Sequence, residues 1–269
     1  MLFTSHSSST PFPISTTALP PAAQESNSPI GQSTDPRSDD SPQCRTARCR
    51  KDYAASFATL YECFHRSDLC LHHQSKMRIL PFHLRPETQV FVCEQGGNVC
   101  GTISIVLDEG EGMPLAKVFA DEAKQKRVAG HRIAELSSLA ISPTNSHCKP
   151  EAFAKLTSIA VAFARHHGVD ELLATVHPRH ARIYERVMGF RTISDVAAHG
   201  GVLGQPAVLI AAPIDDPDLV ISSWHHWYFT NPYSDNDLSR TQIPAADRHF
   251  FAKHVTESRG NQNPKSASN

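Results

Sequence analysis

The sequence predicts an α/β fold with a mixed central sheet and helices on both faces. Three observations carry that prediction. A run of β-formers over residues 89–107, broken by Gly96-Gly97-Asn98, reads as an antiparallel hairpin. A strand over 130–141, a strong helix over 150–167 and a second strand over 171–176 follow one another, and such a unit closes as a right-handed parallel crossover. Two further strands, over 191–197 and 206–212, extend the sheet.

Taken in order, residues 1–50 are rich in Ser, Thr and Pro and too poor in apolar side chains to offset chain entropy, so they read as a disordered leader. The folded part begins at residue 51. Tyr53, Phe57, Leu60, Tyr61 and Phe64 recur at helical spacing and mark an amphipathic helix over 52–65. Arg78, Pro81 and Pro86 belong to an extended, turn-rich connection leading to the hairpin. Pro114 opens a short helix with Leu115, Val118, Phe119 and Ala123 on one side and a basic end, Lys124, Lys126 and Arg127. After the strand over 130–141, Pro150 and Glu151 start the helix whose buried stripe is Phe153, Leu156, Ile159, Ala160 and Phe163. His177-Pro-Arg-His leads into a helix that ends at Met188 before Gly189. The organisation that follows is a catalytic-sized domain over 51–214, a C-terminal helical extension over 215–256 and a disordered tail over 257–269.

Composition narrows the function. The formal net charge of −1 gives no global case for nucleic acid or an anionic membrane surface. No apolar run approaches the length of a transmembrane helix, and no secretory signal is present. Seven cysteines without a Cys-x-x-Cys pair suit free thiols in a reducing cytoplasm; Cys93 and Cys100 flank the hairpin turn, so a pair facing each other across it is the alternative, and free thiols are the expectation. Sixteen histidines fall partly in doublets, which point apart on one element, so no metal site is expected.

The chemistry centres on the strand over 130–141. Alternation puts Ile133, Glu135, Ser137, Leu139 and Ile141 on one face. A carboxylate there, between Ala134 and Leu136, costs several kcal/mol unless it is paired or protonated. Two readings stand: a structural carboxylate held by an Arg or by backbone N–H groups, or a catalytic base whose pKa is raised toward neutrality. Sites in such sheets form where parallel strands diverge at their C-terminal ends, which sets the end of this strand beside Val176 and His177.

Several blocks carry a resemblance. His180-Ala-Arg-Ile-Tyr-Glu-Arg-Val-Met-Gly-Phe resembles the late motif of the GNAT acyltransferases, in which two central parallel strands splay around a thioester. Met77-Arg-Ile-Leu-Pro-Phe-His-Leu, Gly112-Met-Pro-Leu, Gly130-His-Arg-Ile-Ala-Glu-Leu-Ser-Ser-Leu-Ala, Val176-His-Pro-Arg-His-Ala-Arg-Ile-Tyr-Glu-Arg and Gln205-Pro-Ala-Val-Leu together resemble the long-chain N-acyl amino acid synthases, relatives of the acyl-homoserine-lactone autoinducer synthases. The likeness spans residues 53–212. One departure from ordinary GNAT enzymes is the loop Ser142-Pro-Thr-Asn-Ser-His-Cys-Lys-Pro, which has no glycine and does not look like a cradle for the CoA pyrophosphate.

The resemblance implies a GNAT-like fold and transfer of a long fatty acyl group from an acyl carrier protein thioester to an amino acid nitrogen. No bound cofactor is implied, only acyl-ACP, or acyl-CoA in the alternative reading, as co-substrate. Ordinary acyl-CoA or acetyl-CoA transfer and a non-catalytic acyl-binding scaffold are the rivals. Glu135 is implied as the base and Tyr184, matching the superfamily's general acid, as the proton donor to the leaving thiolate. Backbone N–H groups around Ser137, Ser138 and Leu139 suit the oxyanion if the strand bulges. Arg78, Arg179 and His180 are candidates for the acceptor carboxylate. Lys124, Lys126 and Arg127 suit an acidic carrier, with Lys149, Arg182 and Arg186 as further candidates.

Overall fold

The computed structural model describes residues 41–143, 149–230 and 232–256. Eight strands form one sheet: β1 (Gln43–Thr46), β2 (Thr88–Gln95), β3 (Asn98–Leu107), β4 (Ile133–Ile141), β5 (Glu171–Val176), β6 (Arg191–Thr192), β7 (Ala197–His199) and β8 (Gln205–Pro213). The spatial order is β1-β2-β3-β4-β5-β8-β6, with β7 also on β8. Only β4 and β5 run parallel, as the crossover helix between them requires.

Alternation decides what each face covers. Val90 and Val92 of β2 turn toward α1 (Arg50–Arg66), where Tyr53, Phe57 and Leu60 meet them. Phe91 and Cys93 turn the other way, into a core with Phe153, Leu156, Ile159 and Phe163 of α3 (Lys149–His166). The stripe read from the sequence is therefore the buried stripe of α3, and helices do cover both faces. α4 (Pro178–Met188) ends in a left-handed glycine, Gly189, as its sequence requires.

Three expectations change. The leader was expected to run to residue 50, but residues 43–46 form β1 on the edge of the sheet, with Cys44 opposite Cys93. Arg45 of this strand donates both guanidinium arms to Asp52 at 2.8 and 2.9 Å and also reaches Glu94. Those contacts, with the N–H of Arg48 on Asp52, hold the Asp52 carboxyl well below the usual carboxylate range. Second, the helix expected at Pro114 divides into a 3-10 turn, Pro114–Lys117, and α2 (Ala120–Val128). Third, the strand expected over 191–197 is only β6 and the first residue of β7. The C-terminal extension wraps the sheet domain with short helices. α5 (His225–Phe229), α6 (Asp235–Leu238) and α7 (Ala245–Ala252) bury Tyr228, Leu238 and Phe251 in the same two cores. The expected leader over 1–40 and tail over 257–269 lie outside the described residues.

The fold creates its site by an imperfect pairing. β4 and β5 match from Ile133 opposite Glu171 to Leu136 opposite Ala174 and then part. β5 continues against β8 as far as Val176 opposite Val208, while β4 stays with β3. The β3–β4 register shifts between Thr102 and Ser104, and across from that shift Ser138 takes a φ of +54°. The strands therefore open into a V whose inner edge is Ser137, Ser138 and Leu139.

Candidate active site

The V is the mouth of a cavity of about 1310 Å³. Glu135, Ser137, Ser138 and Leu139 line one side, and Thr175, Val176, His180 and Tyr184 the other. Arg78 and the Gly200–Val202 turn close a third side.

Glu135 is 3% exposed. Strand alternation sends its neighbours Ala134 and Leu136 into the α3 core, and leaves the carboxylate facing the cavity on the other side. Its Oε2 accepts the N–H of Leu115 at 2.7 Å. That donor is uncommitted within its own turn because Pro114 opens a 3-10 helix whose first amides lack an internal partner. Among the described residues no cation stands against Glu135. Burial outweighs the single hydrogen bond and pushes its pKa up to about 8. The structural-carboxylate reading required an Arg or backbone N–H groups; among the described residues the backbone supplies one, that of Leu115.

Arg78 is the complementary group. It is 4% exposed, yet among the described residues no carboxylate meets it. Its Nη2 donates to the carbonyl of Gly201 at 2.6 Å, and its guanidinium stacks 4.2 Å from the centroid of the Phe64 ring. Burial lowers its pKa to about 10, so the guanidinium stays charged at neutral pH.

Tyr184 lies on the inner face of α4, edge-on to Phe153 and Phe190, and burial raises its phenol above the ordinary range. His180 lines the cavity and is kept neutral by burial, with its pKa near 4. Arg179 is exposed outside the cavity lining and donates to His180 Nε2 at 3.1 Å.

The structure therefore brings together Glu135, Ser137, Ser138, Leu139, Arg78, His180 and Tyr184. It does not bring Arg179 into the cavity. The basic end of α2 is largely neutralised: Lys126 pairs with Glu171 and Arg127 with Asp108, each at 2.6 Å, which leaves Lys124 exposed. Arg182 and Arg186 are exposed on α4 and meet no carboxylate among the described residues. Lys149 opens α3. Most of the glycine-free loop, residues 144–148, lies outside the described residues.

Sequence reasoning missed three participants. His83 reaches Ser138, and His199 turns back to accept the N–H of Gly201, ordering the turn that meets Arg78. Thr175 faces the cavity with a buried hydroxyl that has no partner among the described residues. His83 stood inside a block quoted for its resemblance; the other two carried no local signal.

A family model for the N-acyl amino acid synthase FeeM matches residues 55–213. Among curated protein sequences none matches the chain. Similar solved structures include FeeM, an N-acyl amino acid synthase from uncultured soil microbes, at 21% identity and a TM-score of 0.60, covering 68% of this chain and 96% of that one. LasI, an AHL synthase, aligns at 13% identity with a TM-score of 0.52 over 72% of this chain and 96% of its own. MesI, a CoA-dependent acyl-homoserine lactone synthase, aligns at 13% identity with a TM-score of 0.50 over 71% and 97%. These likenesses carry the GNAT-type fold, and the family match carries the class of chemistry: the chain is an acyltransferase and belongs to the FeeM family of N-acyl amino acid synthases.

Proposed function

We propose that this enzyme transfers a long-chain fatty acyl group from an acyl carrier protein thioester to the amino group of an amino acid. The observation that carries this reading is a carboxyl and a guanidinium in one cavity, each without an opposite charge beside it among the described residues. Among the described residues Glu135 is buried without a cation, and Arg78 is buried without an anion. A substrate bearing an ammonium and a carboxylate supplies both missing partners. The cavity also exceeds the ~300–1,000 Å³ usual for small-molecule sites, and Phe64, Ile103, Leu136, Ile141 and Val176 give it apolar walls suited to an acyl chain.

The reaction then runs as follows. Glu135, directly or through a water, takes one proton from the acceptor ammonium. The freed amine attacks the thioester carbonyl carbon. A C–N bond forms, and the carbonyl π pair moves to oxygen, where donors at the β4 bulge hold it. When that pair returns, the C–S bond breaks. The nitrogen gives up its second surplus proton, and the thiolate gains one from Tyr184, which is then reprotonated. The products are an amide, a thiol and one released proton.

Two features support a carrier protein over CoA as donor. The loop after β4 lacks the glycines of a pyrophosphate cradle. Arg182 and Arg186 offer an exposed basic face on α4, beside the cavity residues His180 and Tyr184, and Lys124 adds a further cation elsewhere. A CoA thioester is the alternative donor. No helix among the described residues is long and apolar enough to cross a membrane.

The test is mass spectrometry of lipids from cells making the wild type or Glu135→Gln, followed by assays with palmitoyl-carrier protein and palmitoyl-CoA. New N-acyl amino acids that disappear in the variant, with turnover of the carrier thioester, are expected. No new lipid from folded protein with either donor would remove the synthase reading, and turnover of CoA alone would replace the donor.

A further inference from the structure

His83 and Ser138 lie 55 residues apart in the chain and meet at the splay, His83 Nε2 to Ser138 Oγ at 2.9 Å. The proton on that contact can be assigned. His83 Nδ1 accepts the backbone N–H of Leu80 at 3.0 Å, so its lone pair is committed there. The single proton of the neutral ring is therefore on Nε2 and is donated to Ser138 Oγ. His83 is buried, with Phe57 and Phe82 against its ring and Arg78 nearby, and its pKa is driven down to about 3. The tautomer is thus maintained across the neutral range.

The consequence falls on Ser138. Its oxygen accepts from His83, and its own proton has no acceptor among the described residues. Ser138 lines the cavity at the bulge, two residues beyond the last β4–β5 pair, in a left-handed conformation that a serine rarely holds. A residue that served only to turn the chain here would be glycine, whose φ is free.

We propose that the Ser138 hydroxyl is a catalytic donor to the oxyanion of acyl transfer, and that His83 is the positioning residue that aims it. This rests on the acyl-transfer reading above. In the step concerned the C–N bond has formed and the former π pair resides on oxygen. Ser138 donates a hydrogen bond to that oxygen and keeps its proton, and the interaction relaxes when the pair returns and the C–S bond breaks. Because the hydroxyl oxygen is already bound by His83, its rotation is restricted before substrate arrives, which is the preorganisation such donors need.

The experiment uses the full chain with palmitoyl-carrier protein. The wild type is first given a mixture of the proteinogenic amino acids, and the acceptor found in the product is used thereafter. Ser138→Gly removes the donor and relieves the backbone. Its thermal unfolding is expected at or above wild type while kcat falls about 10²-fold, with both KM values within about threefold. His83→Leu is expected to match that loss. His83→Gln retains an N–H donor and is expected to recover most of the rate. The double variant is expected to be no slower than either single one, because both remove the same interaction. A Ser138→Gly enzyme with kcat within about threefold of wild type overturns the proposal. So does a His83→Leu loss that Gln does not rescue, or one that multiplies with the loss from Ser138→Gly. Where His83→Leu does not fold, Ser138→Gly decides alone. No product from the wild type with palmitoyl-carrier protein or with palmitoyl-CoA would instead overturn the acyl-transfer reading itself.

Discussion

Glu135 receives the backbone N–H of Leu115 at 2.7 Å and, among the described residues, no positive charge. One neutral donor does not offset the loss of hydration around a carboxylate, so the group ionises only near pH 8. A base poised there is about one-tenth ionised at pH 7 and half ionised near pH 8, and it regains its proton easily after each turnover. Below that pKa only the deprotonated fraction of enzyme is competent. The logarithm of kcat/KM is therefore expected to climb with a slope near one as pH rises toward about 8 and then level. Glu135→Gln is expected to lose about 10²-fold or more in kcat and to lose that limb. Steady-state profiles of both proteins check this, and an unchanged profile in the variant would remove Glu135 as base.

The same proton links to stability, with a sign opposite to that of most carboxylates. In the unfolded chain Glu135 ionises near its ordinary value of 4.5, while in the fold it holds its proton to about 8. Between these values the native state binds more protons than the unfolded state, so stability falls as pH rises, by about 1.4 kcal/mol per unit at most. Glu135→Gln does not titrate. Denaturant unfolding is expected to show the two proteins alike near pH 4 and the variant more stable by a few kcal/mol near pH 8. A difference that stays constant with pH would mean the carboxylate titrates normally.

Arg78 tests the other end of the acceptor. Its guanidinium touches the Gly201 carbonyl and the Phe64 ring and has donors left for a carboxylate. Hydrogen bonds to charged groups contribute about 1.5–3 kcal/mol, so Arg78→Met is expected to raise the KM for the amino acid about 10- to 100-fold. The KM for the acyl donor and kcat should move much less. Arg78→Lys keeps the charge but not the planar fork, and is expected to fall between the two. Initial-rate measurements with each substrate varied in turn distinguish this from a collapse of the Gly200–Val202 turn, which would impair both substrates together.

What the sequence revealed and what it hid follow from distance along the chain. Glu135, the β4 bulge residues and Tyr184 were legible because alternation, helical spacing and short motifs are local. The contacts that define their chemistry are not local. Leu115 lies 20 residues from Glu135, and His83 lies 55 from Ser138. Lys126 and Arg127 read as a free basic patch because Glu171 and Asp108, their partners, are 45 and 19 residues away. β1 was hidden for a different reason. Gln43-Cys-Arg-Thr follows a Ser- and Pro-rich stretch and has little strand signal of its own. Its stability comes from pairing with β2 and from Arg45 reaching across to Asp52 and Glu94. The open V itself depends on where two strands stop pairing, which no periodicity records.

Tyr184 offers the last test, because its two readings predict different things from one atom. As core, its ring packs against Phe153 and Phe190, and its hydroxyl has no partner among the described residues. Removing that oxygen should then leave folding almost unchanged, within about 1 kcal/mol. As a general acid, the phenol stays protonated through the neutral range, since burial raises its pKa, and it can supply the proton that the departing thiolate needs. A thiolate is a moderate leaving group even without help, so the contribution should sit at the low end for acid catalysis. Tyr184→Phe is expected to reduce kcat about 10- to 100-fold at unchanged melting temperature. The deficit should shrink with a donor whose thiol is more acidic, because such a leaving group needs less protonation. Equal losses for acidic and ordinary thiol leaving groups would return Tyr184 to the core.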